Sequence, residues 1–271
     1  MSEFNHKNVL ITGAAHGIGK LMAGMVADLG GNLIICDVNG PGLEATAKEL
    51  RRPGIQVSTY AFDISEREAV YSVAQRIQQE VGQVDILINN AGIVFTGEIL
   101  DLPDDKHRKQ VEVNLLGTLW MLKAFVPQMV KRNEGHIVNV ASSAGMLAMP
   151  GMGMYSATKH ALMGLNDALR NELYNCGAKK IRVTVVCPYI INTGMFEGMK
   201  TLFFLPPLKP EAMARAVIRG VLKNRSIIGK PFPVFLPPIV KALFPPFVLD
   251  LSLRITGFNK AIYSCKGFYK K

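Results

Sequence analysis

Six short apolar runs recur along the chain, near 8–12 (NVLIT), 32–36 (NLIIC), 55–61 (IQVSTYA), 84–88 (VDILI), 135–141 (GHIVNVA) and 181–187 (IRVTVVC). Most are near-continuous in Val, Ile and Leu, the pattern of strands buried on both faces. Between them lie longer stretches of helical character, roughly 17–29, 40–51, 65–81, 104–132, 153–177 and 209–224. Strand and helix in strict alternation predict an α/β, doubly wound parallel sheet with helices on both faces. No linker interrupts this pattern, so residues 1–225 read as one domain and 226–271 as a C-terminal extension.

The extension has a different character. The net charge of +10 is polarised: residues 1–211 hold 20 Lys+Arg and 20 Asp+Glu, while residues 212–271 hold the other 11 basic residues and one acid, Asp250. Charge spread evenly would suggest nucleic acid; a basic tail on a neutral body does not. The tail is also apolar, but Pro237-Pro238 and Pro245-Pro246 split it into pieces too short to span a bilayer. Pieces of that length with flanking Lys and Arg suit a lipid surface, or a cover over a substrate cleft. The N-terminal MSEFNHKNVLITG has no basic region followed by an apolar run, so no signal peptide is expected. Four cysteines without paired spacing fit reduced thiols in the cytoplasm.

Function is written first in TGAAHGIG, residues 12–19, between the first strand and first helix. Gly13, Gly17 and Gly19 permit a tight turn and close approach of backbone amides to a pyrophosphate, which the helix N-terminus attracts. His16 and Ile18 lie in the same loop. Asp37 closes the second strand, where a carboxylate can accept from ribose hydroxyls and repel a 2′-phosphate. No Arg or Lys stands at positions 14–16 or 38–39, so NAD is favoured over NADP.

A second pattern is Tyr155-Ser-Ala-Thr-Lys159, in which a phenol and an ammonium share one helix face. A phenol titrates near pH ~10 and is a poor base at neutrality. A neighbouring ammonium is expected to lower that value and make proton transfer from an alcohol feasible.

Taken together, TGAAHGIG, NNAG at 89–92, Asn114 in VEVN, Ser142 in VASSAG and Tyr155-x-x-x-Lys159 resemble the short-chain dehydrogenases/reductases over residues 7 to about 225. The resemblance implies a Rossmann sheet of seven parallel strands. It assigns catalysis to Asn114, Ser142, Tyr155 and Lys159: Ser142 holds the substrate oxygen, Lys159 also holds the nicotinamide ribose, and Asn114 anchors a proton-relaying water. Asp63 and Ile64 are placed near the adenine. Asn90, Ala91 and Gly92 lie beside the cofactor, as do Pro188, Ile191 and Thr193. Where the family usually has Pro-Gly after the sixth strand, this chain has Pro188-Tyr189. CPYIINTGMFEG and the Pro-rich basic extension look most like the branch of retinol dehydrogenases and 17β-hydroxysteroid dehydrogenase type 11. Members of that branch commonly carry an N-terminal hydrophobic anchor, which MSEFNHKN does not resemble.

The substrate side is apolar. Met146, Met149, Met152 and Met154 precede or flank Tyr155, and Met195, Phe196, Met199, Leu202, Phe203, Phe204 and Leu205 follow Thr193. Ser142, Met149, Tyr155, Met195 and Phe196 are the expected substrate contacts. With Lys200 the only cation there, a lipophilic alcohol (a sterol, a retinoid or a long-chain alcohol) fits better than a sugar or hydroxy acid. An NADPH-dependent carbonyl reductase and a non-enzymatic NAD-binding protein at a lipid surface remain alternatives. The five histidines show no metal spacing, and no metal is expected. Apolar positions such as Leu115, Leu119, Leu122, Leu162 and Leu165 on the two long helices predict a homodimer or homotetramer.

Overall fold

The computed structural model describes residues 2–201 and 205–269. Seven parallel strands form one sheet: β1 (Asn8–Thr12), β2 (Asn32–Asp37), β3 (Val57–Ala61), β4 (Ile86–Asn89), β5 (His136–Val140), β6 (Arg182–Pro188) and β7 (Ile227–Lys230). Their spatial order is β3-β2-β1-β4-β5-β6-β7. The direction of winding reverses between β1 and β4, and Val9 pairs with both Leu33 and Ile86 across that point. A cleft opens beyond the strand ends where such a reversal occurs.

Alternation along β1 shows why both faces must be covered. Val9 and Ile11 join one core with helices α1 (Gly17–Asp28) and α7 (Pro210–Leu222), through Met22, Val26, Val217 and Val221. Leu10, one residue between them, joins the opposite core with Val70, Ile77, Met121 and Phe125. Those residues come from α3 (Arg67–Glu80) and α5 (Thr118–Arg132). Helix α2 (Gly40–Leu50) starts at Asn39, whose side chain accepts from the Gly42 amide and caps it.

Two differences from the sequence reading matter. The expected helix over 104–132 is present, but it is not α-helical throughout. It runs as α4 (Asp104–Val111), a π-helical segment over Glu112–Gly117 and then α5. This helical run is apolar enough, by length and composition, to cross a membrane, yet it packs on the sheet with half of its most apolar window buried. The second difference is the place of β7, the seventh strand that the resemblance implies. It lies past residue 225, within the stretch read as an extension, and completes the sheet against β6. The prolines act as expected. Helices α8 (Leu236–Leu243) and α9 (Pro246–Ile255) are separate, and α6 (Gly153–Asn175) carries the Tyr-Lys pair.

Candidate active site

The glycine loop is locked from below. Gly13 has φ +68°, and a Cβ there would sit 2.9 Å from Ala91 Cα. A Cβ on Gly19 would overlap the Gly13 carbonyl oxygen, so Gly19 serves helix–loop packing. The Thr12 hydroxyl accepts from the Asn90 and Ala91 amides at 3.0 and 3.1 Å. Asn90 Nδ2 in turn donates to the Thr12 carbonyl at 2.9 Å. The NNAG segment therefore clamps the loop to the end of β4.

Asp37 is oriented by backbone. Its carboxylate accepts from the Ala15 and Asn39 amides, each at 2.9 Å, and is only 8% exposed. It is therefore not a solvated strand-end acid. Asp63 accepts from Ser65 and from Lys109 Nζ at 2.9 Å. Burial works against its ionisation, but the Ser65 and Lys109 contacts outweigh it and hold the carboxyl below its usual range.

At the other end of the cleft Tyr155 and Lys159 are both buried. Lys159 Nζ donates to the Val140 carbonyl at 2.9 Å and lies 5.6 Å from the Tyr155 ring centroid. Burial pushes Tyr155 up to about 12, with Ser142 pulling the other way. Burial also pushes Lys159 down to about 8, partly offset by the nearby Cys187 thiol. The phenol is thus raised and not lowered as expected beside the ammonium, because desolvation penalises both charged forms. The Asn114 side chain is held by the backbone of Ile93 and by Thr158. Its Oδ1 accepts from the Ile93 amide and its Nδ2 donates to the Ile93 carbonyl and to Thr158 Oγ1.

One cavity of about 750 Å³ connects these groups. Its walls include Gly13, His16, Gly17, Ile18, Asp37, Asp63, Ile64, Asn90, Ala91 and Gly92 at one end. Ser142, Tyr155, Lys159, Pro188, Ile191, Thr193, Met195 and Phe196 stand at the other. Gly19, Asn114 and Met149 are not in its wall. Gly19 and Asn114 act behind it, and Met149 is buried in an apolar cluster around Tyr155. Leu202, Phe203 and Phe204 fall outside the described residues.

The C-terminal extension, read from sequence as a lipid-surface piece or a cleft cover, closes that cluster through residues the sequence did not single out. Ile262 and Cys265, from a tight helical turn at Phe258–Ser264 and just beyond it, pack with Met149, Met152 and Tyr155, with Phe196 and Phe268 beside them. The Tyr269 amide donates to the Thr96 carbonyl at 2.8 Å and the Lys266 amide to the Glu197 carbonyl at 2.6 Å. Residues 258–269 therefore strap the substrate side. Tyr189, the family departure, stacks on Phe258 with ring centroids 6.3 Å apart. Lys109 was also missed; nothing in its local sequence marks it.

A doubly wound sheet with an amide-lined glycine turn at its switch point, an acid ending β2 and a buried Tyr-Lys pair defines a dinucleotide-dependent oxidoreductase. The comparisons agree. Residues 7–201 match the short chain dehydrogenase family, and the chain belongs to it. It is 40% identical over 246 residues to estradiol 17-beta-dehydrogenase 11 of Rattus norvegicus, covering 91% of this chain and 82% of that one. It is 38% identical over 263 residues to epidermal retinol dehydrogenase 2 of Homo sapiens, covering 96% and 84%. Among solved structures, a short-chain dehydrogenase/reductase from Burkholderia phymatum in complex with NAD superposes with TM-score 0.80 at 28% identity, covering 94% of this chain and 97% of that one. One from Sphingobium yanoikuyae in complex with NADPH gives 0.75 at 25%, covering 94% and 96%.

Proposed function

We propose that this protein interconverts a lipophilic alcohol and its carbonyl, using NAD. The observation that carries the reading is a single cavity with an oriented carboxylate, Asp37, at one end and Tyr155, Lys159 and Ser142 at the other. The left-handed glycines and the cleft at the switch point fit a dinucleotide. Asp37 supports NAD, because it leaves a 2′-phosphate facing a negative charge. Among the described residues, the one lysine in the cavity wall besides Lys159 is Lys109, which Asp63 already engages.

When bound, the nicotinamide accepts or donates the hydride. The chain does the rest. Ser142 donates a hydrogen bond to the substrate oxygen and holds it beside the phenol. Tyr155 takes the hydroxyl proton in oxidation and returns it in reduction. Lys159, fixed by the Val140 carbonyl, stabilises the phenolate when it forms. Met195 and Phe196 wall the substrate end, Phe196 packing edge-on to Tyr155 with centroids 6.0 Å apart. The apolar cluster beneath excludes water from the reacting atoms.

The reading extends to location: a cytoplasmic enzyme held peripherally at a lipid surface, a membrane or a lipid droplet. Phe232, Leu243, Phe244, Phe247, Leu251 and Ile255 are all more than half exposed, a cost in water that a lipid surface removes. Lys230, Arg254 and Lys260 lie along the same stretch and suit anionic headgroups. We also infer a homodimer or homotetramer through the two long helices. Leu122 and Leu162 are already buried within the chain, while Leu115, Leu119 and Leu165 remain half-buried.

The deciding experiment is an NADH-formation screen across steroids, retinol and fatty alcohols, with Tyr155→Phe as control. Turnover of at least one lipophilic alcohol that the variant loses supports the reading. No turnover on any of them, or equal turnover by the variant, overturns it.

A further inference from the structure

Behind the Tyr-Lys pair runs a chain of buried hydrogen bonds to which the reaction above gives no role. Asn114 sits in the π-helical segment, fully buried. Its Oδ1 accepts from the Ile93 amide at 2.8 Å, and its Nδ2 donates to the Ile93 carbonyl at 2.9 Å and to Thr158 Oγ1 at 3.2 Å. The Thr158 hydroxyl then donates to the Tyr155 carbonyl at 2.7 Å. Thr158 is itself only 2% exposed, so water does not substitute for either bond.

The inventory of protons fixes every direction in this chain. The Tyr155 carbonyl has no proton to give, so Thr158 spends its single one there and faces Asn114 with a lone pair. That lone pair and the Ile93 carbonyl both demand the NH2 of Asn114, while the Ile93 amide demands its oxygen. All three partners select the same orientation of the amide, and the flipped one would set oxygen against oxygen twice. The fixed oxygen lies beside the cavity floor. A Cβ built on Gly92 would sit 3.2 Å from Asn114 Oδ1 and 3.4 Å from Lys159 Nζ. The Asn114–Thr158 contact therefore joins the floor at Gly92–Ile93 to the helical turn that carries both Tyr155 and Lys159.

We propose that Thr158 is a positioning residue: its hydroxyl, acting through Asn114 and the Tyr155 carbonyl, sets the spacing between the cofactor floor and the catalytic turn. The kinetic part of this proposal rests on the oxidoreductase reading; the binding part does not. Valine at this position keeps the shape and loses both bonds, leaving an Asn114 N–H buried without its acceptor. Serine keeps the hydroxyl and loses a methyl group.

Thr158→Val and Thr158→Ser separate these effects in the full chain. Thr158→Val is expected to lower kcat about tenfold, to shift the pH midpoint of kcat and to weaken NADH binding measured by fluorescence. Thr158→Ser is expected to stay close to the parent in all three. In an Asn114→Ala background, the Thr158→Val effect should largely vanish. A Thr158→Val protein matching the parent in kcat, pH midpoint and NADH affinity overturns the proposal, whatever happens to its Tm. So does a Thr158→Ser protein as impaired as the valine variant, since packing of the methyl group would then be the cause. Should the parent turn over no alcohol, the functional reading falls by itself, and NADH affinity across the two variants still decides this one.

Discussion

Lys159 Nζ lies 5.6 Å from the centre of the Tyr155 ring, while its hydrogen bond goes to the Val140 carbonyl at the end of β5. The ammonium is thus fastened to the sheet, and the phenol is held over it by the helix. Both groups are buried and both resist charging, the phenol at about 12 and the lysine at about 8. Proton traffic at this pair is consequently set by pH.

Alcohol oxidation needs the Tyr155 phenolate, and carbonyl reduction needs the phenol. With the phenol pushed up to about 12, kcat/KM for oxidation is expected to climb above pH 7 and to climb less steeply past about 8, where Lys159 loses its charge, whereas that for reduction does not climb. Initial rates in both directions across this range check it, and a flat oxidation profile would count against Tyr155 as the base.

Asp37 should govern cofactor choice. Asp37→Ser removes the repulsion toward a 2′-phosphate and also frees the Ala15 and Asn39 amides that the carboxylate holds. Efficiency with NAD is expected to fall, and the NAD-to-NADP ratio of kcat/KM to drop by roughly ten- to hundredfold, about 1–3 kcal/mol. An unchanged ratio would remove Asp37 from the argument.

His136 makes acid stability a local property. Its ring is buried on β5, with nitrogens 2.9 Å from Ser2 Oγ and 2.8 Å from Thr184 Oγ1. Burial, aided by Arg182, pushes it down to about 4. A depressed folded value means the unfolded chain binds more protons between pH 6.5 and 4. The stabilisation is therefore complete above 6.5 and is lost as pH falls toward 4, amounting to about 3 kcal/mol. Urea unfolding at several pH values should show this slope, and His136→Gln should flatten it.

The exposed apolar face predicts flotation. The full chain should rise with anionic vesicles at low salt and be released as salt increases. Phe244→Glu with Phe247→Glu should stay in the soluble fraction at unchanged Tm, because both side chains are exposed. If that double variant floats as well as the parent, the face is not the anchor.

Assembly through the long helices predicts at least a dimer by light scattering at micromolar concentration. Leu119→Arg, at a half-buried position of that run, should shift the mass to a monomer. A monomeric parent would rule the interface out.

Five of the strands were legible because a strand buried on both faces leaves a continuous apolar run, as in NLIIC. β3 (VSTYA) lies at the sheet edge with only Tyr60 buried, and was legible from its β-branched and aromatic residues. IIGK of β7 was not, since it is four residues long and only Ile228 is buried. The π segment was invisible because EVNLLG has the composition of any helix; what distinguishes it is where Asn114 must point. The glycine loop and the Tyr-Lys pair are encoded locally and could be read. Lys109 and Ile262 meet the site only through the fold, across separations that no local pattern records. The phenol's shift was misjudged for the same reason: proximity to Lys159 is written in the sequence, but the depth at which both are buried is not.

The strap over Tyr155 also bears on how the molecule is made. During synthesis the glycine loop, Asp37 and the first six strands emerge well before Ile262 and Cys265. The nucleotide half can therefore be finished while Met149 and Met152 still face water. A protease nick among the exposed residues of α9, or a ribosome halted there, would leave a remnant with all seven strands of the sheet but no cover over Tyr155.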